Sequence, residues 1–341
     1  MKPPPEAILA ITFRCNSKCI MCDIWQLPNQ AEIEPEHFAK LPSSIKNINM
    51  TGGEPFLRDD LTEIVSIINK TCGHPRLVFS CNGLATPLIE KRVRELLEKT
   101  QSNLAIRISI HGIEERHDEV MGIPGAFQRS MGTIKMLKGL GITDLGLAFT
   151  GSNKSIDQLL DVYSLAEKLG VDFVFCGIAH NSEIYFGNPN DAIHDKELFE
   201  KQINGMIMRD LKSQKAKKWF RAYYGAGVCY HAFTGQRKIP CGAAKEFFWM
   251  NPAGDIFPDM VLNRKLGNLR EQTFDEIWNG EEAEKFREEI RTKGCPSPCW
   301  MSCTVVPYMK SNLLRTSLWV GKNKLRAHLG MSVKQPSEQI K

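Results

Sequence analysis

Cys15, Cys19 and Cys22 lie in the run Phe-Arg-Cys-Asn-Ser-Lys-Cys-Ile-Met-Cys-Asp and supply three thiolates on one short loop. A structural zinc site wants four ligands, and this run offers three. An iron–sulfur cluster held by three thiolates keeps one iron open to a further ligand. Chemistry would begin at that open iron. A second constellation, Cys241, Cys295, Cys299 and Cys303, lies in the C-terminal third, with its last three members in Cys-Pro-Ser-Pro-Cys-Trp-Met-Ser-Cys. Zinc held by those four is one reading of it. Cys72 and Cys81 have no ligand-like spacing, and Cys229 is a spare candidate.

These thiols need a scaffold. At 341 residues, with 42% hydrophobic and 24% charged side chains, the chain has material for one large core and a smaller second unit, and too little polarity for a largely disordered chain. No apolar run approaches the length of a membrane span, and Met-Lys-Pro-Pro-Pro-Glu lacks the pattern of a signal peptide. Eleven cysteines, an odd count, without an export signal point to reduced thiols in the cytoplasm. The net charge of +5 is uneven. From Val305 onward seven Lys and Arg face Glu338 alone, which leaves residues 1–304 nearly neutral and argues against nucleic acid as a partner.

Strand-like runs at Ala7–Phe13, Lys46–Met50, Arg76–Ser80, Leu104–Ile110, Asp144–Phe149 and Asp172–Cys176 alternate with helical stretches near 34–41, 59–71, 86–99, 125–139 and 155–169. Asp59 and Ser155 are the expected N-caps. Repeated strand–helix units predict a parallel sheet with right-handed crossovers. Six units predict an open partial barrel, with functional residues at the strand C-terminal ends. A Gly-, Asn- and Pro-rich loop, Gly177–Pro189, then leads into one polar helical stretch, about Asp195–Ala222, before cysteines and turns take over. The expected divisions are a core over 1–190, a helical linker over 191–228, a cysteine-rich unit over 229–308 containing a helix around Phe274–Thr292, and a basic helix and tail over 309–341. In that tail Leu314, Leu318, Leu325 and Leu329, with Trp319, form an apolar stripe opposite Lys and Arg. Packing of this helix on its own domain with a solvated basic face is expected, and a peripheral contact with an anionic inner-membrane surface is the alternative.

The cysteine loop follows the first strand, and the second strand ends in Thr51-Gly52-Gly53-Glu54-Pro55. Paired glycines let backbone approach a ligand closely, and Glu54 would offer a carboxylate to a cationic amine. The cysteine triplet, with Met21 at the usual apolar position, followed by Gly52-Gly53-Glu54-Pro55, resembles the radical S-adenosylmethionine superfamily over about residues 7–180. That resemblance implies a partial (β/α)6 TIM-like barrel and a [4Fe–4S] cluster on Cys15, Cys19 and Cys22, whose open iron takes the amino and carboxylate groups of S-adenosylmethionine. A reductant such as flavodoxin or ferredoxin would supply the electron for a 5′-deoxyadenosyl radical. Ser80, Asn82 and Ser109 fall where ribose and carboxylate contacts lie in the family. His111 stands where the family often has aspartate, and Arg107 is placed to meet a carboxylate. Cys176 could donate a hydrogen atom to a product radical, although a buried inert thiol is the plainer reading.

From Cys241 through Gly254, Gly267-Asn268-Leu269 and the final cysteines, the chain resembles the SPASM or twitch extension, which implies one auxiliary iron–sulfur cluster in a small α+β domain. Asp259 occupies a position where that family commonly has cysteine. Either its carboxylate ligates iron or Cys241, Cys295, Cys299 and Cys303 act alone. The expected activity is hydrogen abstraction from an unidentified small molecule, sugar or lipid. Peptide maturation is the alternative; with 14 residues before Cys15, leader recognition would fall to a separate protein. An iron–sulfur electron carrier and a zinc-stabilised interaction protein are more distant readings.

Overall fold

The computed structural model describes residues 1–28, 30–179, 182, 193–237 and 239–333, apart from the side chain of Cys303. The expected Gly177–Pro189 loop lies mostly outside these residues. Six parallel strands, β1 (Glu6–Thr12), β2 (Asn47–Gly52), β3 (Arg76–Cys81), β4 (Asn103–Ser109), β5 (Asp144–Gly151) and β6 (Asp172–Ile178), lie side by side in sequence order. Helices α1 (Leu61–Cys72), α2 (Thr86–Thr100), α3 (Glu115–Met121), α4 (Ala126–Gly139) and α5 (Leu159–Leu169) connect them. Alternation decides which face is which. In β3, Leu77, Phe79 and Cys81 are buried against the helices, whereas Arg76, Val78 and Ser80 point the other way. α1 answers with Leu61, Ile64, Val65, Ile68 and Cys72 at helical spacing, all buried, each contributing about 2 kcal/mol by area.

The parallel sheet does not stop at β1. β7 (Phe247–Met250) pairs parallel with β1, Glu6 opposite Phe247 through Leu9 opposite Met250. β8 (Asp255–Phe257) and β9 (Gly267–Asn268) then continue antiparallel, giving the order β6-β5-β4-β3-β2-β1-β7-β8-β9. The cysteine-rich region is therefore joined to the partial barrel through the sheet itself. The fold is α/β, a partial barrel followed by a small mixed region and C-terminal helices.

Several local expectations are corrected. The helical stretch expected over about 195–222 is two helices, α6 (Lys196–Lys212) and α7 (Ala216–Thr234), broken at Ser213. That expected around Phe274–Thr292 is α8 (Phe274–Trp278) and α9 (Glu281–Lys293), split at Asn279-Gly280. Asp60 rather than Asp59 precedes α1, without a side-chain cap. Ser155 Oγ also caps no helix: it donates to Thr150 O and accepts from Ser152 N–H.

The C-terminal helices are α10 (Ser302–Ser311) and α11 (Leu313–His328). The face of α11 turned inward carries Thr316, Trp319, Val320, Asn323 and Ala327, with Trp319 edge-on to Tyr223 of α7 at 5.2 Å. The leucine stripe faces the opposite way. Leu314, Leu318, Leu325 and Leu329 are 63–77% exposed. The helix thus packs on its own domain, as expected, but of the stripe only Trp319 takes part. Trp319 and Val320 give the helix a second apolar face, and only one face can be turned to the core.

Candidate active site

The cysteine loop leaves the end of β1 and is held from three sides. Lys18 and Ile20 N–H donate to the carbonyls of Met121 and Val120 at the end of α3, 3.0 Å each, and Ser17 Oγ donates to Met121 O at 3.1 Å. From β2, Gly53 N–H donates to Thr12 O and Glu54 N–H to Arg14 O, both at 2.8 Å. A Cβ at Gly52 would stand 2.0 Å from Thr12 O, and one at Gly53 2.2 Å from Arg14 O. The close approach these glycines permit is to the cysteine loop itself. The third tie is Arg58, which is buried, donates to Ile11 O at 2.6 Å and pairs with Asp60 at 2.7 Å. Glu32 joins it by bonding Thr12 Oγ1 and Arg14.

Burial is the largest influence on the three thiols and pushes all of them up, Cys15 and Cys22 to about 12, with repulsion from Cys19 adding to both. Left alone, they stay protonated at neutral pH; thiolate-binding metal would displace those protons. Among the described residues no three His, Cys, Asp or Glu side chains close on a single ion. Three thiols that sense one another from one loop fit a multi-iron cluster spread between them.

Glu54 is corrected by the structure. Its carboxylate is fully buried, with Oε1 accepting from Phe56 N–H at 3.2 Å and Oε2 from Asn82 N–H at 2.7 Å. Burial outweighs those bonds and lifts its pKa to about 7. It ties β2 to β3 rather than offering an open carboxylate. Asn82 is a second tie: Nδ2 donates to Asn16 Oδ1 at 2.7 Å and lies 3.9 Å from Cys15 Sγ, and Oδ1 accepts from Leu84 N–H. Met21 and Pro55 are buried beside these elements. Ser80, whose Oγ donates to Asn49 Oδ1 at 3.3 Å, and the half-buried Ser109 stand at the ends of β3 and β4. His111 is pushed down to about 3, first by burial and then by His117, and accepts from Thr150 N–H through Nδ1 at 3.3 Å. A neutral imidazole in that position supports the backbone through Nδ1 and carries no charge at neutral pH.

Sequence reasoning passed over Ser17, Arg58, Glu32 and Met121. Ser17 lies within the cysteine run, but α3 is a short, charge-rich helix with no periodic apolar face, so nothing signalled that Met121 would meet the loop.

Inside the barrel, between the inward faces of the strands and the helices α7 and α10, lies a cavity of about 610 Å³. Its walls are mostly apolar, among them Val78, Ala148, Val174, Phe220 and Met309, and Ser80 and Cys176 stand on the strand segments nearest the cysteine loop. Burial pushes the Cys176 thiol up to about 11. Arg76, Arg107 and Asp144, at or near the N-terminal starts of their strands, line the opposite end. Arg107 meets a carboxylate of its own chain: Asp144 Oδ1 accepts from Arg107, and Oδ2 from Arg76 Nε at 3.0 Å. Burial raises the Asp144 carboxyl, but these bonds prevail and hold it at about 2.

The second constellation also assembles. Cys295 hydrogen-bonds to Cys241, which holds Cys241 down at about 7 and Cys295 high. Cys299 is buried and pushed up to about 12. The buried Asp259 acts electrostatically on all three thiols, and its Oδ1 accepts from Val261 N–H at 2.8 Å and Leu262 N–H at 2.9 Å. Cys303 falls in the first turn of α10, and its thiol lies outside the described residues. Arg237 draws the loop together, donating to Ile239 O, Pro240 O, Cys299 O, Thr304 O and Thr304 Oγ1 at 2.7–3.2 Å.

Comparison with known families matches the radical SAM superfamily over residues 9–166 and an iron–sulfur cluster-binding domain, SPASM, over 241–304. The chain belongs to the radical SAM superfamily. It is an enzyme of that class, with a four-iron cluster that works with S-adenosylmethionine and an auxiliary iron–sulfur site in its SPASM domain. Among curated relatives, an AdoMet-dependent heme synthase of Methanosarcina barkeri (strain Fusaro / DSM 804) is 27% identical, covering 88% of this chain and 87% of its own. A PqqA peptide cyclase of Gluconobacter oxydans (strain 621H) is 25% identical, covering 87% and 82%. Among solved structures, anSMEcpe with bound AdoMet (S-adenosylmethionine) shares the fold with a TM-score of 0.63 at 14% identity, covering 94% of this chain and 100% of its own.

Proposed function

We propose that Cys15, Cys19 and Cys22 hold the radical-generating cluster, and that a substrate seated in the barrel cavity meets the radical at the Ser80 and Cys176 end. The observation that carries this is the loop itself, which carries three cysteines and is fixed by β2 and α3 at the C-terminal end of the strands, the end at which Ser80 and Cys176 line the cavity. When bound, the cluster supplies the electron, delivered by a reductant such as flavodoxin or ferredoxin, that cleaves S-adenosylmethionine to a 5′-deoxyadenosyl radical able to take hydrogen from an unactivated C–H bond. The chain's own residues do the positioning. Gly52 and Gly53 let β2 lie against the loop, Asn82 braces Cys15, and Ser80 and Ser109 face the ligand from the strand ends. Cys241, Cys295, Cys299 and the first turn of α10 hold one auxiliary cluster, with Asp259, which acts electrostatically on those thiols, beside it. In this reading 1–190 is the radical core, 191–228 a helical linker, 229–308 the auxiliary-cluster unit and 309–341 the basic helix and tail.

A cavity of about 610 Å³ has the size of a small-molecule site. It favours a small substrate, as the kinship with heme synthases does; the kinship with a peptide cyclase keeps peptide modification as the second reading. Anaerobically reconstituted protein with dithionite should convert S-adenosylmethionine to 5′-deoxyadenosine, and Cys15→Ala, Cys19→Ala and Cys22→Ala should each abolish it. A triple variant that still forms 5′-deoxyadenosine would sink the assignment.

The outward leucines of α11 support a peripheral contact. Arg315, Lys322 and Arg326 flank them, and residues 305–333 contain no Asp or Glu. Such a face suits an anionic lipid surface. Flotation with phosphatidylglycerol vesicles tests it: Leu318→Glu/Leu325→Glu should lose binding, and wild-type protein that fails to float refutes it. Among the described residues no helix is long and apolar enough to cross a membrane.

A further inference from the structure

The end of the cavity remote from the cysteine loop is crowded with positive charge. Arg76, Arg107, Lys217, Arg221 and Lys310 all line it. Their carboxylate partners are too few. Asp144 serves both Arg76 and Arg107, and Asp172 Oδ2 serves both Lys217 and Arg221. Lys310 pairs with Glu6. Asp210 also lines the cavity, but its Oδ1 is engaged by Tyr163 Oη at 2.7 Å. Counted together, five cations face four carboxylates. Here two acids are each shared, which leaves one cation in excess where the buried Arg107 meets the partly exposed Arg76 and the half-exposed Lys217 and Lys310.

From this geometry we infer that the cationic floor binds a carboxylate of the substrate, which is an acid with a largely apolar body. The inference rests on the cavity being the substrate site. It also sets a length. Arg76 and Ser80 are four residues apart on β3, which at about 3.3 Å per residue separates floor from upper rim by about 13 Å. A ligand anchored at Arg76 must span most of that distance to place a carbon near the radical. A glutamate side chain of a peptide held at the rim falls well short, so the acid belongs to a small molecule. Arginine suits the task because its planar fork can hold Asp144 with one edge and a second carboxylate with another.

The test uses 1-pyrenebutyrate, a flat apolar fluorophore whose ring and carboxylate arm together approach that span, and its methyl ester, titrated anaerobically into the cluster-loaded full chain. The acid should bind at least tenfold more tightly than the ester. Arg76→Gln and Arg221→Gln should each reduce that preference to within about threefold, with circular dichroism confirming the fold. The more exposed Lys217→Ala is the fallback if either misfolds. Filling the cavity with Ala148→Phe should weaken acid and ester alike, which places the probe in the lumen. Equal binding of acid and ester, no binding of either, or a preference that survives all three charge variants would overturn the inference. A glutamate-containing decapeptide that displaces the probe with the same sensitivity to Arg76→Gln would overturn the small-molecule assignment. Formation of 5′-deoxyadenosine by the wild-type protein without pyrenebutyrate is scored separately, so failure of the radical chemistry is told apart from failure of the floor.

Discussion

Gly52→Ala should loosen the cysteine loop at its root. The new Cβ would stand 2.0 Å from Thr12 O and 3.1 Å from Thr12 C, so β1 and β2 must part locally. Overpacking of this kind costs about 1–3 kcal/mol. Gly52 also has φ +130°, a region hostile to a side chain, which adds about 1–3 kcal/mol. Parting the strands weakens the bond from Gly53 N–H to Thr12 O, worth about 1 kcal/mol. Together about 3–7 kcal/mol is at stake, a large share of a typical domain's stability. Two other glycines separate the causes. Gly73, at the end of α1, has φ +67° but nothing within 4 Å of a new Cβ, so Gly73→Ala should cost only about 1 kcal/mol. Gly132, inside α4, meets nothing within 4 Å, so Gly132→Ala should stabilise by about 0.5–1 kcal/mol. Urea denaturation of the three variants, with iron content and near-400 nm absorbance after anaerobic reconstitution, reads both effects. If Gly52→Ala costs no more than Gly73→Ala and keeps its iron, the account of the loop's support is wrong.

Two further predictions concern pH. Asp144 is held at about 2 against an ordinary 3.8, so its contribution is complete above pH 4 and disappears as pH falls through 2. Asp144→Asn should flatten the acid limb of the stability curve over that window by about 1–2 kcal/mol, after allowance for the solvent that reaches the carboxylate, and an unchanged limb in acid titration of the urea midpoint would contradict it. Glu54 runs the other way: its pKa is raised from 4.5 to about 7, so its contribution is present below pH 4.5 and is lost as pH rises through 7. Wild-type protein should lose about 3 kcal/mol across that range relative to Glu54→Gln; parallel stability curves for the two proteins would count against the buried carboxylate.

The six strand–helix units were legible because buried parallel strands read as short apolar runs and their helices repeat every three to four residues. The two cysteine loops were legible because cysteine spacing is a chemical signal independent of fold. Legibility failed where one pattern has two structural solutions. α11 carries two apolar faces, and sequence alone merged Trp319 with the leucines, whereas Trp319 and Val320 turn inward and the leucines outward. Glu54 is a carboxylate whichever way it points, and only the N–H groups of Phe56 and Asn82 reveal that it points inward. The pairing of β7 with β1 links residues some 240 positions apart, which no local pattern encodes.

That pairing has a consequence for how the molecule is made. β1, almost wholly apolar, emerges first during synthesis, yet its second neighbour is not available until residues 247–250 have been translated. Until then one side of β1 exposes unpaired backbone groups, a template for intermolecular strand pairing. A chain interrupted before β7 should therefore aggregate rather than persist as an independent barrel, because the strand that leads into the first cysteine loop is completed by the half that carries the second.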